Sequence, residues 1–178
     1  MTWLFGYGSL VWRPGFRFVE AHPARVEGWL RRFWQASPDH RGTPDAPGRV
    51  ATLLPSEGAH CWGRVYKLAR EERERVLAAL DRREQAGYTH HWLEASLPDG
   101  TVLGDVLVYV ATPDNPNFLG PASLEAMVRQ VLHSEGPSGS NRDYVLQLAE
   151  ALGAMGVRDP HVCELAEALA SGEEGAAG

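Results

Sequence analysis

Residues 60–111, HCWGRVYKLAREERERVLAALDRREQAGYTHHWLEASLPDGTVLGDVLVYVA, change their apolar period and change it back. His60 to Leu68 is rich in β-branched and aromatic residues and reads as a strand. From about Arg70 to Arg83 the period lengthens: Val76, Leu77 and Leu80 form the apolar stripe of a helix. Glu71 and Glu72 lie near its start and Arg82 and Arg83 near its end, matching the helix macrodipole. Gly87 stands where a helix stop belongs. Tyr88 to Ser96 and Gly104 to Ala111 then return to strand character, so a single helix interrupts a run of strands.

Upstream, Thr2 to Gly6, Gly28 to Gln35 and Arg49 to Leu54 bring the expected strands to six. Downstream, the stripes Leu124/Met127/Val128/Val131, Val145/Leu148/Leu152 and Leu165/Leu169 predict helices over about Ser123–Ser134, Asn141–Gly153 and Pro160–Ala170. Ser123, Asn141 and Asp159 occupy N-cap positions, and Pro160 suits a first helical turn. Strands crowd the first half and helices the second, which predicts an α+β arrangement with one curved sheet or small barrel. Regular βαβ alternation, and with it a doubly wound nucleotide-binding fold, is disfavoured. Ser37 to Gly48, SPDHRGTPDAPG, has too much Pro and Gly for regular structure and reads as an ordered surface loop. A chain of 178 residues suggests one domain over 1–170, with SGEEGAAG at 171–178 as a flexible tail.

Composition narrows the function. Lys and Arg total 17 against 23 Asp and Glu, a formal charge of −6, which opposes binding to phosphate backbones. Trp29-Leu30-Arg31-Arg32-Phe33-Trp34 interleaves aromatic and basic residues, yet at that net charge it reads as a strand with one buried face and Arg on the other, so no nucleic-acid partner is expected. The start lacks a secretory leader and no run of about 18 apolar residues occurs, so no membrane association is expected. Cys61 and Cys163 form no redox or ligand motif, which fits a reducing cytoplasm. The sequence carries no signal for an oligomeric state.

Two stretches carry candidate chemistry. In Phe5-Gly6-Tyr7-Gly8-Ser9-Leu10 the glycines permit a tight path with several N–H groups facing one concavity, an arrangement that binds carboxylates or phosphates; a plain glycine turn is the alternative. No phosphate-loop signature is present. In Leu80-Asp81-Arg82-Arg83-Glu84-Gln85-Ala86-Gly87-Tyr88, Glu84 sits at the negative end of a helix, which favours its neutral form, while Arg82 and Arg83 favour the charged one. A tuned acid/base and a solvated helix-end Glu both fit. His90 and His91 point to opposite faces of a strand and cannot share a metal. Neither a serine-hydrolase elbow nor a zinc-protease helix motif is present.

FGYGSLVWRPGF, RRFWQASPDHRGTPDAPGRVATL, LDRREQAGY, DNPNFLGPASLE and GPSGSNRDYV together resemble, in order and over about residues 3–155, the ChaC family of glutathione-specific γ-glutamylcyclotransferases. That resemblance implies a small mixed β-barrel flanked by helices. It implies cleavage of glutathione to 5-oxoproline and cysteinylglycine without cofactor or metal. It implies that Gly6, Tyr7, Gly8, Ser9, Leu10 and Val11 form the substrate-binding loop and that Glu84 is the catalytic acid/base. Because the substrate's own α-amine attacks its γ-carbonyl, no enzyme nucleophile is needed. Arg41 and Arg49 flank the Pro-rich loop, and either suits the glycine carboxylate of glutathione. Tyr144 fits a role in orienting Glu84 or substrate, or a buried structural one. Family members can carry extra acidic residues in the helix before the LDRRE stretch, where Arg73 and Arg75 intersperse here, so a second catalytic carboxylate beside Glu84 stays open. Other γ-glutamyl amines or amino acids as substrates, and a non-catalytic γ-glutamyl-binding module, stay open as alternatives.

Overall fold

The computed structural model describes residues 2–83 and 87–174. Strands β1 (Thr2–Gly6), β2 (Glu20–Ser37), β3 (Gly48–Leu68), β4 (Thr89–Ser96) and β5 (Val102–Val110) form a closed barrel in the order β1-β3-β2-β4-β5. Antiparallel pairing of β1 with β3 runs from Thr2↔Leu68 to Gly6↔Arg64. The barrel closes through parallel pairs Trp3↔Val106 and Leu4↔Leu107 between β1 and β5. Helices α1 (Arg73–Arg83), α2 (Leu124–Leu132), α3 (Asn141–Ala154) and α4 (Pro160–Glu174), a 3-10 turn at Ser9–Val11 and a short hairpin, β6 (Glu135–Gly136) with β7 (Gly139–Ser140), complete the described elements. The mixed barrel with helices is the expected α+β class.

Five barrel strands replace the six expected. Arg49–Leu54 and His60–Leu68 belong to one strand, β3, which runs straight through Pro55 and Gly58. Pro55 is exposed there and Gly58 carries φ +72°, so the missing N–H and the left-handed residue fall at the exposed middle of the strand. Similarly β2 begins at Glu20, not Gly28, and Gly28 (φ +77°) is a kink inside it. Breaker residues that looked like strand ends are interior irregularities.

The chain forms two compact units, Met1–Arg31 with Thr52–Pro116, and Arg32–Ala51 with Asn117–Gly178. Neither is one consecutive stretch of sequence.

In the first unit, Leu4, Leu68, Leu107 and Tyr109 from the strands meet Val76 and Leu80 from α1 in one buried cluster, with Leu10, Phe16, Leu77 and Tyr88 packed against it. The stripe that predicts α1 is the face it buries. At about 1.5–3 kcal/mol for each fully buried aliphatic side chain, those residues anchor an otherwise charged helix. Gly87 adopts φ +87°, the left-handed conformation suited to the end of a helix. α1 starts at Arg73, three residues later than expected.

In the second unit, Val145, Leu148 and Leu152 of α3 and Leu165 and Leu169 of α4 are buried, as their spacing predicts, and Val162 of α4 is buried with them. Ser123 caps α2 by accepting from the Ala126 N–H, and Asp159 Oδ1 accepts from the His161 and Val162 N–H groups at the start of α4. For α3 the cap is Ser140, whose hydroxyl accepts from the Asp143 N–H; Asn141 is the first helical residue. Asn141 is instead fully buried and pairs with the Arg49 backbone in both directions, accepting its N–H at 2.6 Å and donating to its carbonyl at 2.7 Å. α4 continues to Glu174, so residues 171–174 of the expected tail are helical. Residues 175–178 lie outside the described residues. No helix among the described residues is long and apolar enough to cross a membrane.

Candidate active site

The Gly-rich segment leaves β1 and turns at once into a short 3-10 helix, Ser9–Val11, closed by the Val11 N–H donating to the Gly8 carbonyl. Glycine is required at position 6 by contact: a Cβ there would sit 2.5 Å from the Leu10 Cβ, so the loop folds back directly over the end of its own strand. Gly63 of β3 has the same role from beneath, because a Cβ on it would fall on the Gly6 carbonyl oxygen and 2.7 Å from the Phe5 ring.

Two side chains from other strands, and one of the loop's own, hold this loop. Arg31 of β2 donates from Nε to the Tyr7 carbonyl at 3.0 Å, and its Nη2 donates to the Trp62 carbonyl. Tyr66 of β3 donates to the carbonyl of Leu10. The Tyr7 hydroxyl donates to the Tyr109 carbonyl of β5 at 2.8 Å. Arg31 and Tyr66 are each 1% exposed. Burial pushes the Tyr66 phenol up, keeping it a neutral donor. The expectation that the arginines of the Trp29–Trp34 stretch lie on the open face therefore fails for Arg31. Residue alternation puts Arg31 on the same face as Phe33, and main-chain carbonyls accept from its Nε and Nη2.

Around the end of α1, the Tyr109 hydroxyl donates to Asp81 Oδ1 at 2.7 Å, and His90 Nε2 lies 2.9 Å from the same oxygen. The Tyr109 hydrogen bond, then the His90 contacts, hold the Asp81 carboxyl below the usual range. Tyr109 thus faces both features, its carbonyl toward the loop and its hydroxyl toward the helix. Glu84, the expected acid/base, lies outside the described residues; it follows Arg83, the last residue of α1.

Arg41, Arg49 and Tyr144 belong to the second unit. Arg41 Nη1 donates to the Ser140 carbonyl at 3.1 Å, and its guanidinium stands 5.6 Å from the Tyr144 ring centroid. Arg49 donates to Gln130 Oε1 at 2.6 Å and to the Phe33 carbonyl at 3.0 Å, and burial pushes its guanidinium down. The Tyr144 hydroxyl accepts the Ala51 N–H at 3.2 Å, and its ring meets Phe33 edge-on. Arg41 and Tyr144 are brought together; Arg49 and Tyr144 each fasten the main chain of their unit. Among the described residues, no group of three or more His, Cys, Asp or Glu could hold a metal ion.

The profile of the family described as ChaC-like protein matches residues 2–171. The chain belongs to that family. Among curated relatives, Gamma-glutamylcyclotransferase 2-3 of Arabidopsis thaliana is 45% identical, over 92% of this chain and 86% of that protein. Glutathione-specific gamma-glutamylcyclotransferase 1 of Homo sapiens is 39% identical, over 94% of this chain and 78% of that protein. The crystal structure of the yeast γ-glutamyl cyclotransferase specific to glutathione superposes with a TM-score of 0.88 at 34% identity, covering 96% of each chain. The ChaC-like barrel expected from the five motifs is therefore the observed fold.

Sequence reasoning found the loop but missed what holds it. Arg31, Tyr66 and Tyr109 lie in ordinary strand sequence, and only barrel closure brings them to the loop. Asp81 had a signal, standing three residues before Glu84 inside the LDRREQAGY motif.

Proposed function

We propose that this ChaC-like chain cleaves glutathione to 5-oxoproline and cysteinylglycine. The observation that carries the proposal is the buttressed turn at Gly6–Val11, with its shape imposed by Arg31, Tyr66 and Tyr7. Relatives named glutathione-specific γ-glutamylcyclotransferase, at 36–40% identity, support the choice of substrate.

In this reading the loop N–H groups hold the γ-glutamyl α-carboxylate. The α-amine nitrogen bonds to the γ-carbonyl carbon, closing a five-membered ring, and the bond from that carbon to the cysteinyl nitrogen breaks. An α-ammonium has a pKa of about 8, so a base must remove its proton near neutrality. The attacking nitrogen passes from ammonium to ring N–H and so gives up two protons in turn, and Glu84 relays them to the departing nitrogen, which leaves as the ammonium of cysteinylglycine, so no water is consumed. Holding amine and carbonyl in contact supplies several kcal/mol by proximity. For the leaving half, Arg41 or Arg49 is the proposed partner of the glycine carboxylate. A Lys substitution that raises KM for glutathione and spares kcat would assign that role.

The test is 5-oxoproline release from glutathione, γ-glutamyl-alanine and γ-glutamyl-lysine, without added metal. Turnover confined to glutathione is expected. Turnover of γ-glutamyl-alanine but not glutathione would replace the substrate, and tight binding without product would make the chain a binding module.

A further inference from the structure

We infer that Arg31 is a positioning residue for the proposed reaction, setting the direction of the Tyr7–Gly8 peptide; the inference rests on the functional reading above. A peptide unit is planar, and no cis bond occurs among the described residues, so a C=O and the N–H that follows it point in opposite directions. Arg31 Nε fixes the Tyr7 carbonyl from within the barrel unit at 3.0 Å. The Gly8 N–H therefore points away from Arg31.

Two further observations give that orientation a use. Gly8 is part-exposed where Tyr7 on one side is buried, so the peptide lies at the boundary between interior and solvent. Among the described residues the Gly8 N–H donates to no acceptor, while the Gly8 carbonyl is taken by the Val11 N–H. A donor so presented suits a carboxylate oxygen.

Why an arginine is used follows from the two carbonyls it serves. Nε and Nη2 reach the Tyr7 and Trp62 carbonyls together, tying the loop to β3 through one rigid fork. A lysine keeps the charge but has neither the fork nor the Nε–H. Rotation of the Tyr7–Gly8 peptide would then turn a carbonyl toward the substrate carboxylate, exchanging attraction for repulsion.

The test combines kinetics with amide NMR. In 15N-labelled wild-type protein, the Gly8 amide resonance should shift saturably on titration with 5-oxoproline. Arg31→Lys should keep its fold by circular dichroism, raise KM for glutathione at least tenfold and weaken the Gly8 response in parallel. A merely structural Arg31 would lower Tm while leaving KM and the amide response unchanged, which would overturn the inference. Should Arg31→Lys fail to fold, the wild-type titration decides, and an unmoved Gly8 amide at saturation rejects the inference. Wild-type turnover of glutathione with an unmoved Gly8 amide rejects this inference alone. A wild-type protein that releases no 5-oxoproline rejects the functional reading, and this inference with it.

Discussion

Tyr109 touches Asp81 through its hydroxyl, at 2.7 Å, and Tyr7 through its carbonyl, at 2.8 Å. One strand residue thereby fixes the last turns of α1 and the start of the glycine loop. Because the Asp81 carboxyl is held below its unfolded value, its stabilising contribution is present above about pH 4, the ordinary Asp range, and disappears as pH falls through the depressed value. Tyr109→Phe removes the first cause of that depression. The variant should lose about 1 kcal/mol at neutral pH, the usual net value of one hydrogen bond. The gap in Tm between wild type and variant should be largest above about pH 5 and close in acid. A gap that does not change with pH would separate the Asp81 charge from the effect.

Glu84→Gln keeps shape and hydrogen-bonding capacity but cannot accept a proton. If Glu84 carries the proton between the two nitrogens, kcat falls by on the order of 10²- to 10⁴-fold while substrate binding changes far less. Glu94→Gln, at an exposed position on β4, is the control and should leave turnover intact. More than about a tenth of wild-type kcat remaining in Glu84→Gln, outside the range for a positioned base, would move the role elsewhere.

Gly63→Ala places a methyl against the Gly6 carbonyl oxygen, a backbone atom of the neighbouring strand. Backbone cannot turn aside as a flexible side chain can, so the cost should reach about 1–3 kcal/mol by overpacking. Both Tm and kcat/KM should fall, since the displaced atom belongs to the loop's first residue. Wild-type kcat/KM in a destabilised variant would show that the loop tolerates this shift.

Asn141→Ala removes two hydrogen bonds from a fully buried position and leaves the Arg49 N–H and carbonyl without their partner. Each orphaned buried group costs about 1–3 kcal/mol. Urea denaturation should show a loss of at least 2 kcal/mol, within the sum of those two costs. An unchanged midpoint would mean that water replaces the amide.

Much of this organisation was legible in the sequence because it depends on local period. The stripe Val76/Leu77/Leu80 located α1, and the stripes of α2, α3 and α4 were read within a few residues. Strand ends were misread where Pro55, Gly58 and Gly28 act as irregularities in long strands, a distinction that belongs to the paired strand and not to the residue. Asn141 looked like a cap because Asn often is one, but Ser140 took that role and left the amide for the Arg49 backbone. Arg31 was assigned to solvent on its charge. Its environment is set by Tyr7 and Trp62, which are 24 and 31 residues away along the chain. The glycine loop was recognisable by composition and motif, whereas its supports become neighbours only through strand pairing.

The parallel pairing of β1 with β5 also sets an order of events during synthesis. Trp3 and Leu4 leave the ribosome about a hundred residues before Val106 and Leu107, their partners. At roughly 5–20 residues per second, the N-terminal strand waits several seconds for the strand that closes the barrel beside it. The Tyr7 hydroxyl has no Tyr109 carbonyl to meet during that interval, so the last of the loop's three holds forms only at closure. A nascent chain stalled before residue 102 holds the whole loop sequence and should have no catalytic competence. Such long-range contacts also slow refolding, because the loop-closure entropy is lost before the contacts offset it. Recovery of activity after dilution from urea should therefore track barrel closure, and lag behind the helical signal of α3 and α4.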